Sequence, residues 1–192
     1  MELSCNIVAV LVRWLWLFFF IHATLLMWLV VGSITTKDLA NATDALALRA
    51  FKHQLRSNSL SAWNDSLPLC QWQGITCGRR HSQRVVAMNL TGFQLVGPLS
   101  PFIANLTFLR VIDLSRNKLH GQIPREFGRL SRLRYLNLSA NSVGGETPTN
   151  LTHCWRLIAI DFYRNKLTGR IPVELGSLSR LSRLRLSSNS LT

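Results

Sequence analysis

Acidic side chains are scarce: Asp plus Glu number 9 among 192 residues, against 22 Lys plus Arg, giving a formal charge of +13. Signatures of catalysis are missing altogether. There is no Gly-rich nucleotide loop, no H-R-D and no G-x-S-x-G elbow. His53, His81, His120 and His153 stand apart from one another without matched carboxylate spacing. No second Cys or His pair has the spacing of a metal site. An enzyme and a metalloprotein are therefore excluded, and no cofactor is expected. Long apolar runs are also missing beyond Val31, so nothing after it is expected to span a bilayer. The length fits one domain with a small appendage, which excludes a full receptor or a multidomain enzyme on this chain. A disordered tail is excluded too, since 47% of residues are hydrophobic.

What is present is uneven. Between Met1 and Val31 there is one Arg and one Glu, whereas residues 79–192 hold 17 basic and 5 acidic side chains. From Ile7 to Val31 the sequence is almost wholly apolar, and Gly32 and Ser33 follow. A charged start, an apolar stretch and small residues describe a secretory signal peptide over residues 1–33. The run from Trp14 to Val31 is near the lower length limit for crossing a bilayer, so a signal anchor is the alternative. Either one delivers the remainder to the secretory pathway, on the extracellular side. The membrane is then reached only through this segment or through a C-terminal span missing from the chain. Six Asn-x-Ser/Thr acceptors agree with that compartment: Asn41, Asn64, Asn89, Asn105, Asn137 and Asn150. Basic charge of this size could bind phosphates. In a secreted chain with its basic residues spread around the fold, nucleic acid is not the expected partner.

Self-similarity is the strongest signal. Val85, Leu109, Leu133, Leu157 and Leu181 recur at one constant interval. Counting each as column one, column four reads Met88, Ile112, Leu136, Ile160, Leu184, and column six reads Leu90, Leu114, Leu138, Phe162, Leu186. Column nine is Phe93, Asn117, Asn141, Asn165, Asn189. Column eleven is apolar, column thirteen is Gly, and column sixteen is Ser100, Pro124, Pro148, Pro172. Residues 85–192 thus hold four complete leucine-rich repeats and half of a fifth. Columns four and six lie on one face of a short strand and point to a core. The Asn amide can bond the backbone of its own and the neighbouring coil. Gly relieves a turn, and Pro holds an extended back segment. The fold class is an α/β-type leucine-rich repeat solenoid with a short parallel sheet on its concave face. Asp161-Phe162-Tyr163 approaches D-F-G but falls on strand columns, which explains it.

A solenoid needs a cap over its first coil. Residues 43–56 read as a helix, with Thr43 or Asp44 capping its start and Leu48, Phe51 and Leu55 on one face. Trp63, Trp72 and a loop from Cys70 to Cys77 follow. In an oxidising compartment the two cysteines are easily closed into a disulfide. Such a loop adds about 2–3 kcal/mol. Cys154, in a Leu column, reads as a buried free thiol.

The block from Asp44 to Lys52, then Trp63-Asn64, then Cys70 to Cys77 resembles the plant-type N-terminal cap of leucine-rich repeat proteins. Leu119-His120-Gly121-Gln122-Ile123-Pro124 and Leu167-Thr168-Gly169-Arg170-Ile171-Pro172 resemble the plant L-x-G-x-I-P repeat. The run from Cys70 through His81 into Arg84-Val85-Val86-Ala87 is similar to the receptor-kinase subfamily of bacterial-pattern and blight-resistance immune receptors. The resemblance implies a cap over residues 40–80 and repeats over 85–192, the ectodomain part of a plant receptor-like Ser/Thr kinase. It implies noncatalytic recognition of peptide or protein ligands, with a co-receptor as a further partner, in defence or developmental signalling. Such proteins continue into more repeats, a C-terminal cap, a membrane span and a kinase, whereas this chain stops in mid-repeat at Thr192 with a hydrophobic end open. The alternatives are a secreted inhibitor or decoy similar to the plant inhibitors of polygalacturonase, and a truncated product without function. Residues expected to line the concave face are Asp113, Arg116, Tyr135, Asp161, Tyr163, Arg164, Arg183 and Arg185, a surface suited to a peptide carboxylate or an acidic partner. A glycan on Asn137 would obstruct part of it. Thr147, where Ile is expected, weakens one turn.

Overall fold

The structure, a computed structural model, describes residues 13–22, 24, 36–56, 58–64, 66–79 and 83–192. The chain divides into two units, Met1–Leu39 and Ala40–Thr192. In the first, residues 13–22 and 24 are helical, and the large side chains from Trp14 to Ile21 are exposed. No helix among the described residues is long and apolar enough to cross a membrane. The signal segment expected over residues 1–33 lies mostly outside the described residues, and so does Cys5.

The second unit is a stack of coils. Eleven strands are numbered along the chain: β1 Ile75–Cys77, β2 Val85–Asn89, β3 Val96–Pro98, β4 Val111–Asp113, β5 Lys118–Gln122, β6 Tyr135–Asn137, β7 Ser142–Gly145, β8 Ala159–Asp161, β9 Lys166–Gly169, β10 Arg183–Arg185 and β11 Ser190–Leu191. The concave sheet has the order β1-β2-β4-β6-β8-β10. All its pairs are parallel except β1 with β2. Val111 stands beside Tyr135, Tyr135 beside Ala159, and Ala159 beside Arg183, so the sequence period becomes the sheet register. Met88, Ile112, Leu136 and Ile160 from column four are buried, as are Leu90, Leu114, Leu138 and Phe162 from column six. Burial of each such side chain stabilises the fold by roughly 1.5–3 kcal/mol. Leu184, the column-four residue of β10 at the edge of this sheet, is 41% exposed.

A second parallel sheet, order β11-β9-β7-β5-β3, was not foreseen from the repeat columns. Beyond the Asn of column nine the chain runs extended, and its backbone groups must find partners. They find them in the adjacent coils. Here Val96 stands beside Lys118 and His120 beside Ser142, each separation falling two positions short of the repeat period. An even stagger keeps every side chain on its own face. Gly121, Gly145 and Gly169 adopt φ of 80°, 72° and 74°, a left-handed turn that a Cβ disfavours.

The back of each coil is a short 3-10 helix: Pro101–Asn105, Arg125–Arg129, Thr149–His153 and Val173–Ser177. Pro124, Pro148 and Pro172 stand immediately before three of them at φ of −63°, −71° and −59°. Ser100 takes that place in the first coil, and its Oγ accepts from the Phe102 N–H at 3.3 Å, so a side-chain cap replaces the ring. Cys154 is fully buried with no disulfide partner, and its Sγ donates to the Phe127 carbonyl at 3.2 Å. Burial pushes its thiol up from 9.0 to about 12. Thr147 is buried as well, and its hydroxyl has no hydrogen-bond partner among the described residues. A buried unbonded hydroxyl is a net cost. Thr147→Val is therefore expected to stabilise the fold by about 1 kcal/mol and to raise the thermal midpoint by about 3 °C. An unchanged or lower midpoint in thermal unfolding would show that the hydroxyl is satisfied by water.

The cap departs from expectation at its helix. The helix spans Thr36–His53, beginning before residue 43 and ending before residue 56. Neither Thr43 nor Asp44 caps its start. Asp44 lies inside the helix, fully buried, with its carboxylate turned onto the first repeat. Arg84 donates to it twice, Nε to Oδ2 at 3.0 Å and Nη2 to Oδ1 at 2.8 Å. The Val85 N–H donates to Oδ2 at 2.9 Å. Leu48, Phe51 and Leu55 are buried against the coil, as expected. Trp63 stacks on Trp72 with centroids 5.3 Å apart. Trp63 Nε1 donates to the Gln73 carbonyl, and Trp72 Nε1 to those of Asn64 and Leu67. Cys70 and Cys77 form the disulfide. Gly74 between them has φ of 82°, and a Cβ there would lie 2.4 Å from the Asn89 carbonyl oxygen. That approach lets β1 pair with β2 and carry the sheet into the cap.

Candidate recognition surface

Columns three, five, seven and eight face outward from the concave sheet. Column five runs Asn89, Asp113, Asn137, Asp161, Arg185. Each Asn or Asp in it closes an Asx turn, its Oδ1 accepting from the N–H two residues on: Thr91 at 3.3 Å, Ser115 at 3.0 Å, Ser139 at 3.0 Å and Tyr163 at 3.0 Å. The hydroxyls of Thr91, Ser115 and Ser139 donate to the same oxygens. The second carboxylate oxygens are used across coils. Asn137 Nδ2 donates to Asp113 Oδ2 at 3.1 Å, and Arg185 Nη1 donates to Asp161 Oδ2 at 2.9 Å. Arg185 also lies over the Tyr163 ring, 5.0 Å from its centroid. The two acidic residues expected to meet a ligand thus brace the sheet, and Arg185 is paired.

Arg116 and Arg164 are exposed and make no ion pair among the described residues. Both have φ of 56°, at the left-handed position where each coil leaves the sheet. The shared conformation is held by backbone bonds to the next coil: Arg116 N–H donates to the Ser139 carbonyl at 2.9 Å and Arg164 N–H to Ser187 at 3.0 Å. These side chains stand two coils apart along one margin of the face, with exposed Lys118 and Lys166 beyond them in column ten. Tyr135, 43% exposed, and Arg183 stand in column three at the other margin, also two coils apart. The structure therefore gathers Asp161, Tyr163 and Arg185 into one cluster and distributes the remaining candidates along the two margins. What results is a face with fixed cations and few free acceptors. Among the described residues no group of His, Cys, Asp and Glu could hold a metal ion.

Sequence reading passed over the margin where the chain enters the sheet. The last column, the residue before each repeat start, reads Arg84, Phe108, Arg132, Arg156, Arg180. The signal was available as an alignment column. The basic residues read as spread around the fold, whereas the structure lines Arg132, Arg156 and Arg180 along this margin.

The coils, the two-sheet stack and the capped first strand define a leucine-rich repeat solenoid. The family described as leucine rich repeat N-terminal domain matches residues 41–78, and that described as leucine rich repeat matches residues 100–143. Over 95 residues, 47% of this chain and 9% of the relative, the sequence is 47% identical to the LRR receptor-like serine/threonine-protein kinase EFR of Arabidopsis thaliana. The crystal structure of the BIR2 ectodomain from Arabidopsis thaliana superposes with a TM-score of 0.74 at 33% identity, covering 78% of this chain and 81% of that one. The HAESA receptor-kinase ectodomain of Arabidopsis, solved in complex with an IDA peptide hormone ligand, superposes with a TM-score of 0.60 at 28% identity, covering 80% of this chain and 30% of that one. The chain belongs to the leucine-rich repeat ectodomains of plant receptor kinases. It corresponds to the ectodomain part of that family, which faces the extracellular side of the secretory pathway. It spans about a tenth of the length of the curated relatives it matches.

Proposed function

We propose that the chain is the N-terminal recognition part of a receptor-like kinase ectodomain, taking a peptide or protein ligand on the concave face in defence or developmental signalling. The chain itself performs no catalysis. A Ser/Thr kinase on a longer parent protein carries the signal, and a co-receptor shares the ligand. In this reading residues 1–33 direct secretion, residues 40–80 cap the stack, and residues 85–192 supply the surface. The observation that carries the proposal is Arg116 and Arg164, two cations on left-handed backbone with no ion pair among the described residues, on a face whose own carboxylates are already bonded. Such a face favours a ligand carboxylate over a ligand amine. Tyr135 and Arg183 at the opposite margin supply apolar and cationic contact. Glycans on Asn64, Asn105 and Asn150 leave this face open, whereas glycans on the column-five Asn89 and Asn137 stand on it.

Peptides selected on the folded chain from a randomised library with free C-termini provide the test. Arg116→Glu with Arg164→Glu is expected to weaken their binding by about tenfold or more, from two exposed charge contacts reversed. Amidating the peptide C-terminus is expected to cause a similar loss, with little further loss when the two changes are combined. Binding that is indifferent to the charge reversal would overturn the reading.

A further inference from the structure

The margin where the chain enters the concave sheet is a second charged surface, opposite Arg116 and Arg164 and reaching Tyr135 and Arg183. It is built from two rows of arginine. Arg132, Arg156 and Arg180 form one row in the last column, and Arg110, Arg134 and Arg183 flank them in columns two and three. All six reach the surface, and none makes an ion pair among the described residues. From the last two columns of one repeat through the first three of the next there is no Asp or Glu in any coil. The first row is held flat by rings. Arg132 lies 3.9 Å from the Phe108 centroid, with Arg84 on the same ring at 4.4 Å. Arg156 and Arg180 lie 4.4 Å and 5.5 Å from the Trp155 centroid. A stacked guanidinium has already lost much of its freedom, so less is lost on binding. The Nε–H of Arg156 is buried without an acceptor among the described residues, so this cation is partly stripped of water with no counter-charge.

We infer that this arginine margin binds a linear polyuronate, an extracellular polysaccharide with one carboxylate on each sugar ring. The spacing decides between linear polyanions. Arg132, Arg156 and Arg180 recur coil by coil at the strand spacing of about 4.8 Å, while the flanking row skips the coil of Ile158. Side chains on one face of an extended peptide recur at about 6.7 Å, so an acidic peptide lying along the row falls out of step after one coil. A pyranose ring advances its chain by about one coil width. Carboxylates on one side of the polymer meet the first row, and those on the other side meet Arg110, Arg134 and Arg183. Half-exposed Tyr135, next to Arg134 and in the column of Arg183, offers a ring face to the sugar.

The full chain, made in a secretory host, is titrated with an oligogalacturonate ten rings long. Binding is expected for the free acid and is expected to vanish for the fully methyl-esterified oligomer. Arg132→Gln, Arg156→Gln and Arg180→Gln together are expected to weaken it at least about tenfold. Arg125→Gln, Arg129→Gln and Arg170→Gln, the same charge change on the back, are expected to leave it within about twofold. Because the first row is packed on rings, Arg110→Gln, Arg134→Gln and Arg183→Gln, which disturb no ring stack, are expected to repeat the loss at an unchanged thermal midpoint. Equal losses from the margin and back variants would reduce the effect to net charge and overturn the inference. So would polyglutamate of matched charge binding as tightly as the oligogalacturonate, which would assign the margin to an acidic protein.

Discussion

Replacing Asp44 with Ala is expected to lower stability by about 3–5 kcal/mol, the cost of leaving one partner of a buried ion pair without the other. Three donors lose their acceptor at once: both guanidinium bonds of Arg84 and the N–H of Val85. The Arg84 side chain is 13% exposed and cannot turn fully to water. It is also held over the Phe108 ring at 4.4 Å, so escape would break that stack. The clamp ties the cap helix to the start of β2. Its loss is therefore expected to open the cap before the repeats unfold, a local opening rather than a global one. Trp63 and Trp72, buried in the cap, report this as a fluorescence transition at lower urea than the circular dichroism transition. Asp44→Asn keeps an acceptor for Val85 but not the charge, and about half the loss is expected. Asp44→Ala with Arg84→Met is expected to recover much of the stability, because no unpaired charge remains. A loss below about 1 kcal/mol for Asp44→Ala would show that the pair does not hold the cap.

Asn117→Ala is expected to cost about 2–4 kcal/mol, as several buried backbone groups lose their partner together. Its Nδ2 donates to the carbonyls of Leu90, Leu114 and Ser115 at 2.8, 2.9 and 3.0 Å, and its Oδ1 accepts from the Leu95 N–H at 2.9 Å. Leu90 and Leu95 belong to the preceding coil, so one side chain joins two turns of the solenoid. Asn141, Asn165 and Asn189 repeat the pattern one coil at a time. Asn189→Ala is expected to cost less than Asn117→Ala, since Asn189 is only half-buried and its released partners reach water. Urea unfolding of the two variants measures the difference. Equal, small losses would show that water replaces the amide everywhere. Phe93 holds the same column in the first coil, where no earlier coil needs an amide; it packs against the core instead.

The sequence alone determined the parts of this protein that repeat. A constant period fixes which side chain meets which, because equivalent residues stack one coil apart. The Leu columns, the Asn bonds, the left-handed glycines and the concave sheet followed from spacing and residue chemistry. The disulfide between Cys70 and Cys77 followed from compartment and spacing. Tertiary structure decided everything that joins unlike residues. Asp44 and Arg84 are far apart in the chain with no periodic relation, so the clamp was invisible, and a residue that reads as a helix cap became a buried anchor. The second sheet was set by the need to satisfy backbone groups across coils. The candidate site shows the division most plainly. Its residues could be placed on the concave face by column, but whether a charge there is free or spent depends on its neighbour in the next coil. Asp161 and Arg185 neutralise each other at 2.9 Å, while Arg116 and Arg164 have no such neighbour among the described residues. Charge is additive along a sequence, and its availability to a ligand is a property of packing.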